Sequence, residues 1–332
     1  MSISFGIFDH LDAREEVVAK TFAERLEFIR EAEQGGFRTY HLAEHHSTPL
    51  GMGPSPGIFL AAVAQATSTI RFGPLVYLLP LYNPLRLIEE ICMLDHLSEG
   101  RLEVGVGRGV SPIELGFFGV EAETSADIAA EALAVIKLGI SNERLNHQGR
   151  YFQFDDVPMS IKPFQSNLPF WAASMSPEGL ENAASGGMHS ALLGSVDMVK
   201  DAVATFQQAL SGDQADTLQG MLRLIVVADS DDKAEALARE ALVNWFQKLI
   251  KLWDEYKVEA PLVSAMGDFD FAHQAGIVVC GTADRVADVL QGQIDETGVN
   301  YLLAQMAFGN LPHADELKSL ELFATHVMPR LG

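Results

Sequence analysis

The chain has 332 residues, 48% hydrophobic and 20% charged, which is a globular composition and excludes a disordered chain. Lys and Arg number 23 against 45 Asp and Glu; the formal charge of -22 repels phosphate backbones and anionic lipid heads, so neither nucleic acid nor a membrane is expected as partner. Two cysteines, Cys92 and Cys280, cannot build a disulfide framework, and no Cys-x-x-Cys spacing marks structural zinc.

The first residues, MSISFGIFDHLDAREE, lack the basic-then-apolar order of a signal peptide, and no apolar run reaches the roughly 18 residues of a membrane helix. A soluble, cytoplasmic protein is expected. Ile3 to Phe8 reads as a strand, and Thr21 to Gln34 as an amphipathic helix stopped by Gly35-Gly36. Thr39 to Ala43 is a second strand, Gly57 to Ala66 a buried helix and Ile70 to Leu79 a third strand. Asn83-Pro84 caps and opens a helix that runs to Leu97, and Arg101 to Val106 is a fourth strand. Ile128 to Ile140 is helical. Residues 144 to 168, with Pro158 and Pro163, form an irregular excursion with a candidate hairpin. Strands follow at Phe170 to Ser174, Ser190 to Gly194, Met221 to Ala228 and Tyr301 to Met306. The helices between and after them are Pro177 to Ala184, Val196 to Leu210, Asp231 to Tyr256 and Ala314 to Met328. A second excursion runs to about Gly276.

About eight strands, each followed by a helix, with no linker dividing residues 1–332, indicate one α/β domain: a (β/α)8 TIM barrel with insertion segments. The near-continuous apolar strands suit a parallel sheet covered on both faces. A doubly wound sheet is the runner-up, and the count of eight weighs against it. In a barrel the chemistry belongs at the carboxyl ends of the strands.

Glu44-His45-His46 directly follows the second strand, and three ionisable residues in a row are poor packing material. A hydrogen-bonded solvated loop is the structural alternative. A metal site drawing on His10, His41, His45 and His46 is disfavoured, because adjacent histidines seldom chelate one ion. Gly105-Val106-Gly107-Arg108-Gly109 after the fourth strand is not a dinucleotide fingerprint, since Val110 stands where the third glycine belongs. It reads as a tight turn offering one cation, Arg108, whose partner is a carboxylate such as Glu44 or an anionic ligand. Ser176-Pro177-Glu178-Gly179 is a helix start with amides suited to phosphate, although Glu178 already offers that dipole a negative charge. Ser111-Pro112-Ile113-Glu114 reads as a capping box and Thr282 as a cap, both structural. Gly73 to Pro80 supplies an apolar wall.

At these residues the sequence resembles the bacterial luciferase-like monooxygenases, a family of flavin-dependent (β/α)8 barrels. The stretches that carry the resemblance are Leu42 to His46, Leu79 to Arg86, Leu94 to Leu102, Gly105 to Gly109 and Phe118-Gly119. It is clear over residues 1 to 200 and fainter over 277 to 331. It implies reduced FMN at the barrel mouth, with O2 adding at flavin C4a to give a peroxyflavin that attacks a small apolar substrate. His45 stands at the position of the histidine in that chemistry; an unperturbed imidazole exchanges protons near neutral pH. Leu75-Val76 falls where luciferases hold a non-prolyl cis peptide beneath the flavin ring. Arg108 falls on the phosphate-binding arginine and Ser176 on a phosphate-contacting serine.

The departures are Gly107 in place of a reactive cysteine, and Met175 and Gly179 in place of a glutamate and a threonine near the phosphate. They open space and put light emission and long-chain aldehydes in doubt, while Gly179 keeps a backbone amide for the cofactor. Some members use F420 for hydride transfer instead, and Glu-His-His leans to FMN. With no NAD(P)H fingerprint in the chain, a separate NAD(P)H:flavin reductase is expected to supply the electrons. Leu75, Val76, Tyr77 and Leu79, with Phe8 and Met52, would form a water-excluding wall. The resemblance also implies a homodimer paired through helices 57–66 and 84–97. The substrate-selecting lids are expected in residues 110–125, 144–168 and 257–276. A flavin-binding protein without catalysis and a metal-dependent barrel hydrolase are the rival readings.

Overall fold

In the computed structural model, residues 3–14, 17–210, 216–260 and 264–332 are described. Helices and parallel strands alternate: β1 (Ser4–Asp9), α1 (Val18–Gln34), β2 (Thr39–Leu42), α2 (Pro56–Ala66), β3 (Arg71–Pro74), β4 (Tyr77–Leu78), α3 (Pro84–Leu97) and β5 (Val104–Gly107). Two helices follow, α4 (Pro112–Phe117) and α5 (Ser125–Ser141), then an antiparallel hairpin of β6 (Arg144–Gln148) and β7 (Gln153–Pro158). The alternation resumes with β8 (Phe170–Ala172), α6 (Pro177–Ser185), β9 (His189–Leu192), α7 (Val196–Ala209) and β10 (Gln219–Val227). It ends with α8 (Asp231–Tyr256), α9 (Phe269–Gln274), β11 (Val278–Gly281), α10 (Ala283–Thr297), β12 (Tyr301–Gln305) and α11 (His313–Leu322). The expected lid 257–276 is described only in part, since 261–263 lie outside the described residues.

Going round the sheet, every neighbouring pair is parallel: β1 pairs β2, β2 pairs β3, β4 pairs β5, and then come β8, β9, β10, β12 and β1 again. β3 and β4 are one strand interrupted by a cis peptide between Leu75 and Val76, and a Phe72–Leu102 bridge joins its first half to the β5 side. Eight strand positions thus close a barrel, as its (β/α) alternation requires. Each of the eight sequence-predicted strands matches one of them within a few residues. The differences are the break at Leu75-Val76 and four elements the alternation omitted, α4, α9, β11 and α10. β11 pairs the carboxyl half of β10, outside the ring of eight. Its apolar run, four residues after Ile277, is too short for periodicity to type.

Local chemistry sets the boundaries. Asn83 accepts a hydrogen bond from Leu85 N at 3.0 Å and Pro84 opens α3. That helix ends where Glu99 and Gly100 turn to positive φ, as helix ends commonly do.

The amino-terminal end of the barrel is closed by a buried ionic layer. Glu103 accepts from Arg38 at 2.7 Å, Arg71 at 2.5 Å and Trp171 Nε1 at 2.6 Å, and His41 meets the Tyr301 hydroxyl at 3.0 Å. Burial pushes the Glu103 carboxyl up, but Arg38, His41 and Arg71 outweigh it and hold it at about 2. Above this plug, Phe8, Ala43, Leu75, Ala191, Leu222 and Leu303 fill the interior toward the carboxyl ends.

Candidate active site

The carboxyl end of β1 sets the first group. Asp9 accepts from the Tyr40 hydroxyl (2.7 Å) and Leu11 N (2.7 Å) and pairs with the buried Arg25 at 2.9 Å, which fixes the chain at His10. Asp12 ties the same loop to α8 through Lys248 (2.7 Å) and to Gly309 N (2.9 Å). His10 is buried, and its Nδ1 accepts from Trp245 Nε1 at 3.4 Å and from Gln305 Nε2 at 3.1 Å. Two donors on Nδ1 leave Nε2 to carry the ring proton. Burial, assisted by neighbouring His45, lowers its pKa well below the ordinary imidazole value, so the ring is neutral.

β2 delivers Glu44-His45-His46 beside it, with the His10 and His45 rings 5.5 Å apart. Glu44 is buried and fully engaged: His46 Nε2 lies 2.7 Å away, Leu78 N donates at 3.0 Å and the Tyr82 hydroxyl also bonds to it. It is therefore not the partner of Arg108. Glu114 corrects a second expectation. Ser111 does cap α4, accepting from Glu114 N at 3.2 Å. The Glu114 carboxylate, however, does not fold back on the cap as a capping box would. It reaches across to His45 Nδ1 (3.2 Å) and His46 N (2.7 Å). Burial pushes its carboxyl up, but the bonds to His45 and His46 outweigh that and hold it below the usual range.

The interrupted strand comes next. Leu75 N donates to Leu42 O at 2.7 Å, so the cis turn is fastened to the end of β2. Leu75 and Val76 face the interior with Phe8. Tyr77, Leu79 and Met52 do not: they pack in the outer layer between strands and helices, and the Tyr77 hydroxyl bonds to Glu90 at 3.0 Å. Leu75, Tyr77 and Leu79 would share one face of an unbroken strand, and the interruption between β3 and β4 is what separates them. Gly107 leaves no open space here either, because a Cβ on it would lie 2.6 Å from Val76 Cγ2.

Arg108 follows β5, is exposed, and makes no hydrogen bond or ion pair among the described residues. On the adjacent strand, β8 leads into α6, whose cap is Ser176. Met175 and Ser176 are exposed. The expectation that Gly179 keeps a free amide is overturned, since its N–H donates to Ser176 Oγ at 3.2 Å. The space at Gly179 is also filled, because a Cβ would lie 2.1 Å from Ser174 Oγ. Ser176 N donates to Ser174 Oγ at 3.3 Å, which leaves Glu178 N as the first-turn amide without a partner among the described residues. Round the mouth the order is therefore His10, His45, Leu75-Val76, Arg108 and Ser176, on five consecutive strand positions.

A cavity of about 150 Å³ lies beside His45 and Glu114, walled by Leu50, Val110 and, from α8, Leu249, Leu252 and Trp253. Sequence reading missed Glu114 and this face of α8. The spacing Trp245, Leu249, Leu252, Trp253 is visible, but a stripe at helical period looks the same whether it packs or lines a cavity. Among the described residues no group of three or more His, Cys, Asp or Glu converges to hold a metal, and no helix is long and apolar enough to cross a membrane.

The family model for luciferase-like monooxygenases matches residues 3–301. A Sinorhizobium fredii protein designated y4wF is 40% identical, over 99% of this chain and 98% of that protein. The oxygenase component of a flavin-dependent trigonelline monooxygenase from Acinetobacter baylyi is 26% identical, over 81% and 77%. Among solved structures, the oxygenating constituent of 3,6-diketocamphane monooxygenase from Pseudomonas putida, in complex with FMN, superimposes with a TM-score of 0.81 at 21% identity, covering 100% and 99%. The F420-dependent tetrahydromethanopterin reductase of Methanopyrus kandleri does so at 0.75 and 20%, covering both chains fully. The chain belongs to the luciferase-like monooxygenase family, and it is an oxidoreductase of the oxygen-incorporating kind.

Proposed function

We propose that this single-domain barrel is the oxygenating component of a two-component system, taking reduced FMN from a separate NAD(P)H:flavin reductase and using O2 to oxidise a small apolar substrate. The observation that carries this is the unpaired, exposed Arg108 on the strand position next to the apolar Leu75-Val76 turn, in a chain of charge -22. An unpaired guanidinium facing solvent suits an anionic ligand tail, and an inward apolar turn suits a flat ring. The relative from Acinetobacter baylyi, named as an oxygenase component, supports a separate reductase, and the FMN held by the diketocamphane enzyme supports the cofactor.

In this reading Leu75, Val76 and Phe8 seat the ring. Arg108, the Ser176 hydroxyl and the Glu178 amide hold the phosphate, with Met175 and Gly179 shaping that end without a free polar group. Bound reduced FMN supplies the activation of O2. His45 is the proton-exchanging group, Glu114 orients its ring, and neutral His10 offers a fixed N–H beside it. The exposed Ile58, Met93 and Leu97 of α2 and α3 suit a homodimer face, which a light-scattering mass of one chain would refute. The cytoplasm is the expected location.

Anaerobic titration with reduced FMN, riboflavin and reduced F420 tests the proposal. FMN should bind saturably, and Arg108→Ala should weaken it by about 10- to 100-fold while leaving riboflavin within about threefold, as loss of a charge-assisted bond implies. Equal losses for FMN and riboflavin would remove Arg108 from the phosphate. Binding of F420 without FMN would favour the hydride-transferring alternative, and flavin binding without substrate-dependent oxygen uptake would leave a non-catalytic carrier.

A further inference from the structure

The cavity beside His45 has walls of one chemical character. Leu50, Leu249, Leu252 and the Trp253 ring are apolar, and Val110, 79% exposed, stands at the rim with the exposed Glu259. Most of its inner polar groups are already bonded within the protein. Thr48 Oγ1 donates to Lys248 O at 3.2 Å and accepts from Leu50 N. Ser111 Oγ accepts from Glu114 N, and both Glu114 oxygens are taken by His45 and His46. His45 keeps a free ring nitrogen. Its Nδ1 faces Glu114, whereas Nε2 makes no hydrogen bond among the described residues and is not sealed from solvent. A carboxylate only accepts, so in the neutral ring Nδ1 carries the proton and Nε2 presents a bare lone pair.

We infer that this cavity seats the body of the substrate, and that the substrate is a compact apolar molecule bearing one hydrogen-bond donor, a hydroxyl or N–H, directed at His45 Nε2. Apolar cavities of about 150 Å³ accept benzene-sized guests, which sets the enclosed body at about six to ten non-hydrogen atoms. A second polar group turned toward Leu249, Leu252 and Trp253 would have nothing to bond, a penalty of at least about tenfold in affinity. The inference deepens the proposed function by naming the substrate class, and it needs no flavin to be tested.

Phenol, anisole and hydroquinone are suitable probes, measured by calorimetry and by Trp253 fluorescence against a Trp253→Phe control. Trp171 and Trp245 are fully buried, so the response at Trp253 locates the guest. Phenol should bind saturably, with anisole and hydroquinone each at least about tenfold weaker, the first for want of a donor and the second for its extra hydroxyl. Leu249→Trp should fill the cavity and abolish phenol binding while its unfolding transition and FMN titration stay as in the parent. Equal affinity for the three probes, or undiminished binding by Leu249→Trp, would overturn the assignment. FMN binding without any saturable phenol signal would sink the cavity and spare the flavin reading; phenol binding without FMN would do the reverse.

Discussion

Glu114→Gln changes one atom and should invert the histidine beside it. In the parent, Glu114 accepts from both neighbours, at 3.2 Å from His45 Nδ1 and 2.7 Å from His46 N. A hydrogen bond to a charged acceptor contributes about 1.5–3 kcal/mol, which biases the neutral His45 ring toward the Nδ1–H tautomer by about 10- to 100-fold. Glutamine keeps the shape and loses the symmetry. The His46 backbone N–H can only donate, so it takes the amide oxygen, and the amide NH2 then faces His45 Nδ1. Nδ1 must now accept, and the proton moves to Nε2. The free ring nitrogen thus turns from acceptor into donor. Ring nitrogen shifts of ¹⁵N-histidine-labelled protein report this directly, with Nδ1 protonated in the parent and Nε2 in the variant. Substrate-dependent oxygen uptake should fall by a factor on the order of 10² to 10⁴, as when an orienting carboxylate is replaced by its amide. Reduced FMN should still bind within about threefold, since Glu114 is assigned no contact with it. The same tautomer in both proteins, or full oxygen uptake by the variant, would refute the orienting role.

Two further outcomes concern the frame. Gly107→Ala should destabilise by about 1–3 kcal/mol in urea unfolding, because its Cβ would meet Val76 Cγ2 at 2.6 Å, and Val76→Ala in the same chain should recover most of that; no recovery would mean that the strain lies elsewhere. Acid should unfold the protein from the histidine range downward. Burial holds His41 at about 3, His189 at about 4 and His10 well below its ordinary value, so the unfolded chain takes up protons that the native chain refuses once the pH drops below 6.5. Their stabilising effect is complete above about 6.5 and is lost on the way down through the folded values. His313, raised chiefly by its bond to Glu316, works in the opposite sense. The balance is two to three protons, or about 3–4 kcal/mol between pH 8 and 5.5, read as a fall in the urea midpoint, and an unchanged midpoint would refute it.

The barrel was legible because its signals are local. Pro84 after Asn83, the Glu99-Gly100 stop and the apolar run of β10 each announce themselves within a few residues. The individual strand ends were legible for the same reason, and the Leu75-Val76 turn through resemblance. Reach is what a linear reading lacks. Glu114 satisfies the cap pattern in every particular visible along the chain, yet its carboxylate lies 68 and 69 residues from the groups it holds. Tyr77 and Leu79 sit in the same apolar run as Leu75 and Val76, and only the break in the strand decides which of them faces inward.

That failure has a common physical form, and it explains why the cavity was missed with the same stroke. A side chain that acts across the barrel mouth must first satisfy the local rule of its own element, because the helix or turn that carries it has to form before it can point anywhere. Glu114 sits in the first turn of α4, where a carboxylate is favoured by the dipole in any case. Leu249 and Trp253 occupy α8 positions at which a buried apolar stripe is ordinary. In the proposed site, function lies in second uses of residues whose first use is structural. Arg108, exposed after β5, pairs with nothing among the described residues, and neither do Arg30 and Arg86 on the outer helices. What points Arg108 to an anionic ligand is therefore its place at the barrel mouth beside the Leu75-Val76 turn rather than its lack of a partner alone.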